Sequence, residues 1–428
     1  MVISMEKQCG KTGRRRRLIR IGIAAEAAGI CAVILFGAHT KDKTAGAETD
    51  GYWYENTWDA GEAADPADAY QDGEAGRTVS ETLSTDGYWY EEADGAISGA
   101  LSTDAGWYGE AEETAGGKKD YITWVDFNVT ADAMRCALQY DLDTYGSDCH
   151  IDWIVLLAYA GCRGGGTFSA KSSGYIRDLA ERIKNNETTV EKLSNELSYF
   201  DYYYEAYSAV LGGYVGEYEI GRQAEDGSEV MERVYGVKVF SPIAKGFAYS
   251  DYDDFGASRS YGYRRPHLGH DMLGVIGTPI VAVESGYVEA LGWNRYGGWR
   301  IGIRSFDGRR YYYYAHLRQN YPYAEGLAEG SVVTAGDVIG YMGHTGYSTT
   351  ENVNNIETVH LHWGLQLIFD ESQKDGNNEI WVDCYALTNF LSGYRSAVEK
   401  VGDTREWVRS VPMNDPAAEA YAEEHPVE

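Results

Sequence analysis

The pattern of apolar and polar positions changes character several times along the chain, and each change predicts a different structure. From Ile21 to Ala38 the run is almost uniformly apolar. From residue 41 to 118 no period is present. Between about Asp120 and Ser250 apolar residues recur at helical spacing. "WIVLLAYAG" predicts a short apolar helix ending at Gly161. "TTVEKLSNELSYF" puts Val190, Leu193, Leu197 and Phe200 on one helical face, with Thr188 and Glu191 spaced as a capping box. "FDYYYEAYSAVLGG" extends an aromatic face and stops at Gly212-Gly213.

After about Ser250 the period becomes two. "GTPIVAVESGYVEALGW" reads as turn, strand, turn and strand. In "WRIGIRSFDGRRYYYYAHL", Trp299, Ile301 and Ile303 alternate with Arg300, Gly302 and Arg304. Asp307-Gly308 is a hairpin signal of the two-residue kind. With no long helical pattern interrupting it, the region predicts a mainly antiparallel sheet. The expected organisation is a basic segment at 1–17, an apolar span at 18–38 and a linker at 39–118. A helical accessory domain at 119–250, a sheet domain at 251–400 and a frayed acidic tail at 401–428 complete it.

The first two segments predict an address. Lys11, Arg14, Arg15, Arg16, Arg17 and Arg20 precede the apolar run, whose 18 residues would span roughly 27 Å as a helix, enough for a bilayer core. The basic flank puts the N-terminus in the cytoplasm and the rest of the chain outside it. A cleaved signal peptide is the alternative, against which Phe36 is large for the −3 position of a cut after Ala38. Glu26 is a polar intrusion into an otherwise apolar span.

Composition sharpens the linker. Residues 41–118 hold 19 Asp/Glu against 4 Lys/Arg, and "TDGYWYE" occurs at 49–55 and again at 85–91, with a degraded copy at 103–110. Such a segment buries too little apolar surface to offset its ordering entropy, so a disordered spacer is expected. The net charge of −29 argues against nucleic acid as a partner. Six cysteines show no zinc-finger spacing; Cys136, Cys149 and Cys162 are close enough for one disulfide, or are free thiols.

Six of the nine histidines fall between His267 and His362. His267 and Asp271 are four apart at a turn into a strand. His360 and His362 are two apart in a candidate strand and project from one face. His316 ends the "YYYYAHL" strand. This spacing permits one cleft with a metal-ligand set and two further imidazoles, since a hydrolytic zinc centre needs three protein ligands and an open position. Scattered core or surface histidines would satisfy the same spacing.

The runs "HLGHD" at 267–271, "YAHL" at 314–317 and "HLH" at 360–362, with glycine-punctuated strands between them, resemble the lysostaphin/LytM-type zinc metallopeptidases, which cleave cell-wall peptides. The resemblance covers about residues 256–370. It implies a LytM-like sheet of the duplicated-hybrid-motif type and one Zn2+ per chain, with His267, Asp271 and His362 as ligands. It further implies His360 as general base and His316 as a second catalytic histidine that positions water or stabilises the oxyanion. His270 and His344 match no family role. The stretch "YSTTENVNNIETV" before His360 is longer than the family's short link and is expected to be a mobile loop at the cleft rim. The reading is a membrane-anchored zinc endopeptidase of peptidoglycan. A non-catalytic interaction protein in an envelope complex, or a peptidase acting on proteins, are the alternatives.

Overall fold

A computed structural model describes residues 121–425, apart from 225, 262–263 and 375–377. The expected anchor, the cytoplasmic segment and the whole of the linker lie outside the described residues. Among the described residues no helix is long and apolar enough to cross a membrane.

Five helices come first: α1 (Ala131–Thr144), α2 (Trp153–Gly164), α3 (Ser172–Lys184), α4 (Val190–Glu196) and α5 (Phe200–Leu211). Helix α2 is the "WIVLLAYAG" segment, buried from Trp153 to Gly161, capped by Asp152 and ended by Gly165 in the left-handed region. The single amphipathic helix expected from Val190 to Phe200 is instead two. Leu197 turns extended and α5 starts afresh at Phe200, and Leu193 of the first helix and Phe200 of the second are both buried. The N-cap is Thr189, accepting from Lys192 N, one residue later than the expected Thr188. Strands β1 (Val215–Gln223) and β2 (Glu229–Val237) then form a hairpin within the segment expected to be helical.

The remaining chain builds an eight-stranded sheet. Its path runs β11 (Val332–Val333), β8 (Gly286–Asn294), β9 (Gly298–Ser305), β10 (Arg310–Ala315), β13 (His360–Leu367), β6 (His270–Leu273) and β3 (Ser250–Asp251). Strand β14 (Ile380–Val382) also pairs with β13, and every pairing is antiparallel. Smaller pairs are β4 (Ser258–Arg259) with β5 (Arg265–Pro266) and β7 (Pro279–Val281) with β12 (Val338–Tyr341). The sheet region is thus the antiparallel β-rich domain expected. Gly308 makes the turn between β9 and β10 at φ +73°, though the loop runs over 306–309 rather than two residues.

One face of this sheet packs on the helices. Leu156, Tyr207, Tyr312, Trp363 and Leu365 belong to one continuous buried cluster. Beneath it lies a buried ion pair. Arg310, 2% exposed, donates from Nε and Nη2 to Glu284 at 2.7 and 3.1 Å, and from Nη1 to the Ala209 carbonyl of α5 at 2.9 Å. The Tyr312 hydroxyl donates to the same carboxylate at 2.8 Å.

The C-terminal segment is ordered rather than frayed. Strands β15 (Val398–Lys400) and β16 (Trp407–Arg409) pair, β17 (Met413–Asn414) joins β1, and helix α7 (Pro416–Glu424) follows the short α6 (Tyr385–Leu391). Asp415 caps α7 at Ala417 N and pairs with Lys238 Nζ at 3.1 Å, while Tyr421 stacks on Tyr287. These contacts offset the acidic character that favoured a free end. Among the described residues Cys136, Cys149, Cys162 and Cys384 are free thiols.

Candidate metal centre

The sheet register assembles the site. On β13, His362 pairs with Asp271 of β6 on one side and with Ala315 of β10 on the other. His360, two residues before His362, therefore shares its face. His267 precedes β6 at a turn whose backbone is tied to residues 256–257. Its Nε2 approaches His362 Nδ1 at 2.8 Å and Asp271 Oδ1 at 3.0 Å, and His362 Nδ1 lies 3.0 Å from the same oxygen. Two imidazole nitrogens and a carboxylate oxygen converge on one point.

The donor set fits zinc. Ligands at zinc–donor distances of roughly 2.0–2.2 Å in a tetrahedron stand about 3.3 Å apart, so the three atoms need open only a few tenths of an ångström. The second nitrogen of His267 is committed elsewhere. Its Nδ1 donates to Asp254, whose carbonyl oxygen and Oδ2 each lie at 3.1 Å, which leaves the Nε2 lone pair facing the cluster. Arg259 Nη2 bridges Asp254 Oδ2 at 2.7 Å and Asp271 Oδ2 at 2.9 Å, fixing the carboxylate that Asp271 turns toward the histidines. Burial raises the Asp271 carboxyl, but the adjacent His267 and His362 nitrogens and the nearby His360 outweigh it and hold the group ionised, below the ordinary carboxylate range. Burial lowers His362, the Asp271 contact notwithstanding, and so favours its neutral, ligating form.

His360 and His316 stand beside this set, with ring centroids 4.7 Å apart. His360 Nδ1 lies 2.8 Å from the Thr358 carbonyl and His316 Nδ1 lies 2.9 Å from the Thr345 carbonyl. A carbonyl only accepts, so each Nδ1 carries a proton and each Nε2 is left for the cleft, that of His360 3.7 Å from Asp271 Oδ1. Burial and the neighbouring His360 and His362 push His316 well below the usual imidazole range, so it is neutral near pH 7. His316 takes a left-handed backbone, φ +62°, at the end of β10.

His270 and His344 are elsewhere. His270 is buried against Asp251 at 2.9 Å, while His344 Nδ1 donates to the Ile356 carbonyl at 2.6 Å. The long stretch before His360 is tied down rather than free. Asn352 accepts at Oδ1 from Trp299 Nε1 at 2.9 Å and from Asn320 N at 2.8 Å, and its carbonyl accepts from Gln319 at 2.6 Å.

The site opens into a cleft of about 560 Å³. Its floor is aromatic. A Cβ on Gly302 would lie 2.0 Å from the Tyr311 hydroxyl, and one on Gly364 would lie 2.9 Å from the Trp381 ring, so both rings cover positions that must lack side chains. Sequence reasoning missed Asp254, Arg259 and Arg300, although the arginines of an acidic chain clustering at 259, 264, 265, 295 and 300 were visible.

A sheet cleft holding a His/Asp/His donor set with two free imidazole nitrogens defines a candidate metallohydrolase centre. Residues 265–375 match the model of Peptidase family M23, and this stretch is an M23 peptidase domain. The chain is similar to the L-Ala–D-Glu endopeptidase of Bacillus subtilis (strain 168), 40% identical over 124 residues that cover 29% of this chain and 36% of that one. It is also similar to lysostaphin of Staphylococcus simulans, 38% identical over 89 residues, covering 21% and 17%. Among solved structures, the catalytic domain of that lysostaphin matches at 29% identity and a TM-score of 0.25, covering 33% of this chain and 92% of that one. The chain thus spans about a third or less of the length of these two curated relatives.

Proposed function

We propose that this chain is a zinc endopeptidase that hydrolyses amide bonds of peptidoglycan. The observation that carries the reading is the convergence of His267 Nε2, His362 Nδ1 and Asp271 Oδ1 within 3.0 Å of one another, with two further imidazoles alongside. When bound there, zinc supplies Lewis acidity to the scissile carbonyl and lowers the pKa of water. His267, Asp271 and His362 hold the ion. His360, whose Nδ1 is held by the Thr358 carbonyl, turns Nε2 to the cleft as the general base that would take the water's proton and deliver it to the leaving amine, a step typically worth ~10²–10⁴ in rate. His316 is the water-positioning residue: its bare Nε2 accepts a hydrogen bond from water. The alternative duty of donating to an oxyanion would need a second proton on a ring whose surroundings disfavour one.

Peptidoglycan is supported by the relatives, one named for an L-Ala–D-Glu bond and another, from Staphylococcus capitis, for glycyl-glycine. The basic flank and apolar run support a membrane anchor with the peptidase domain outside the cytoplasm, the acidic spacer giving it reach toward the wall. Retention of all five candidate site residues weighs against a non-catalytic envelope scaffold. The test is to incubate the zinc-loaded chain with peptidoglycan and identify released fragments by mass spectrometry. New amide-bond cleavage products are expected, absent with His360→Ala. Products unchanged by that substitution, or none at all with zinc bound, would overturn the reading.

A further inference from the structure

We propose that the cleft contains a carboxylate-recognition site built on Arg300, so that the preferred substrate is an acidic peptide rather than a neutral glycine bridge. The substrate named here rests on the endopeptidase reading; the site itself rests on where Arg300 stands. Arg300 lies on β9, one residue from the Ile301–Tyr314 pair, which sets it level with Ala315 on β10. Ala315 in turn pairs with His362. Arg300 is therefore two strands from the metal ligand, about 10 Å between backbones at the usual strand spacing. The side chain of Ala315 is a single methyl, so no bulky group of that row stands between them. An extended peptide advances about 3.3 Å per residue, so a long guanidinium arm reaches a group one or two residues from the bond held at His360 and His362.

The charge of Arg300 is uncommitted, unlike that of its neighbours. Arg259 is spent on Asp254 and Asp271, and Lys374 pairs with Glu289. Arg265 donates to the Tyr261 carbonyl and lies over the Tyr296 ring. Arg300 lines the cleft, half-buried, and among the described residues no carboxylate pairs with it and no hydrogen bond from its guanidinium is found. On a chain of net charge −29, which repels anions at long range, this is positive potential held at one spot. A guanidinium presents a planar fork that a carboxylate fills with two parallel hydrogen bonds, and a neutral glycine segment has no group to match it. Glu379, which also lines the cleft, accepts from the Trp381 indole at 2.9 Å.

The experiment uses two peptides identical except that the residue beside the scissile bond carries either a free carboxylate or its carboxamide. Both are presented to the full zinc-loaded chain for kcat/KM, and to the His360→Ala chain for equilibrium binding. The wild type should favour the carboxylate by about 10- to 100-fold, the range of a charge-assisted hydrogen bond. Arg300→Gln should bring that ratio close to one, and Arg300→Lys should retain an intermediate preference, which guards against a fold defect in the first variant. A wild-type ratio near one, or a ratio that survives Arg300→Gln, overturns the site while leaving hydrolysis intact. Absence of cleavage of either peptide overturns the endopeptidase reading instead, and the binding ratio then decides the site alone.

Discussion

Replacing Glu284 by Gln should destabilise the protein severely although the substitution is nearly isosteric. Glu284 is 6% exposed and Arg310 2%, so the pair is out of water. The carboxylate accepts two hydrogen bonds from Arg310 and one from Tyr312. A Gln amide can accept at one oxygen only, offers N–H groups to donors, and leaves a full buried positive charge. Breaking a buried pair from one side typically costs about 3–5 kcal/mol. Asp307, half-exposed at 48%, still accepts from Arg310 Nη2 at 2.8 Å, which places the expected loss near the lower end, about 3 kcal/mol. Urea unfolding followed by tryptophan fluorescence measures it, with the midpoint shift read at constant m-value. The double variant Glu284→Leu with Arg310→Met should recover most of the loss, because no charge is then stranded. A loss under about 1 kcal/mol for Glu284→Gln, on that same scale, would refute the claim that this pair is desolvated.

His267→Ala, Asp271→Ala and His362→Ala should each abolish stoichiometric zinc in a folded chain, whereas His360→Ala and His316→Ala should keep zinc and lose hydrolysis by ~10² or more, checked by elemental analysis and turnover. Because burial sets the His316 imidazole below its unfolded value, the unfolded chain binds the extra proton first. The stability linked to His316 is therefore complete above the unfolded value of about 6.5 and declines as pH falls below it; pH-dependent melting should show His316→Gln flattening that decline. Gly269→Ala should cost about 1–3 kcal/mol and weaken zinc binding, since its Cβ would stand 2.5 Å from His362 Cε1 and 2.8 Å from the Trp363 carbonyl; full zinc affinity would contradict the packing.

The grouping of His267, Asp271 and His362 was legible in part. Spacing put His267 near Asp271 and His360 near His362, but the meeting of the two segments depends on the pairing of β6 with β13, which only the family resemblance anticipated. Other features depend on distant partners. Nothing in "RRYYYY" signals that Arg310 is buried; Glu284 and the Ala209 carbonyl, its partners there, are distant in sequence. The alternation in "YVGEYEIGRQ" was lost beside strong helical neighbours, so β1 and β2 went unseen. The acidic C-terminus concealed its own cap, Asp415-Pro416, a start signal that composition outweighed. Asn352 anchors its loop to Trp299 and Asn320, residues that no local pattern connects to it.

The two glycines under Tyr311 and Trp381 make the cleft adjustable without touching its chemistry. Each ring lies where a single added methyl would displace it, so the width and depth of the groove are encoded at residues 302 and 364, on strands that also carry Arg300 and His362. An alanine at residue 302 would force the Tyr311 ring to move, and neither His267, Asp271 nor His362 is among the atoms its Cβ would meet. The shape of the groove can therefore change through residue 302 while the grouping of His267, Asp271 and His362 stays as it is.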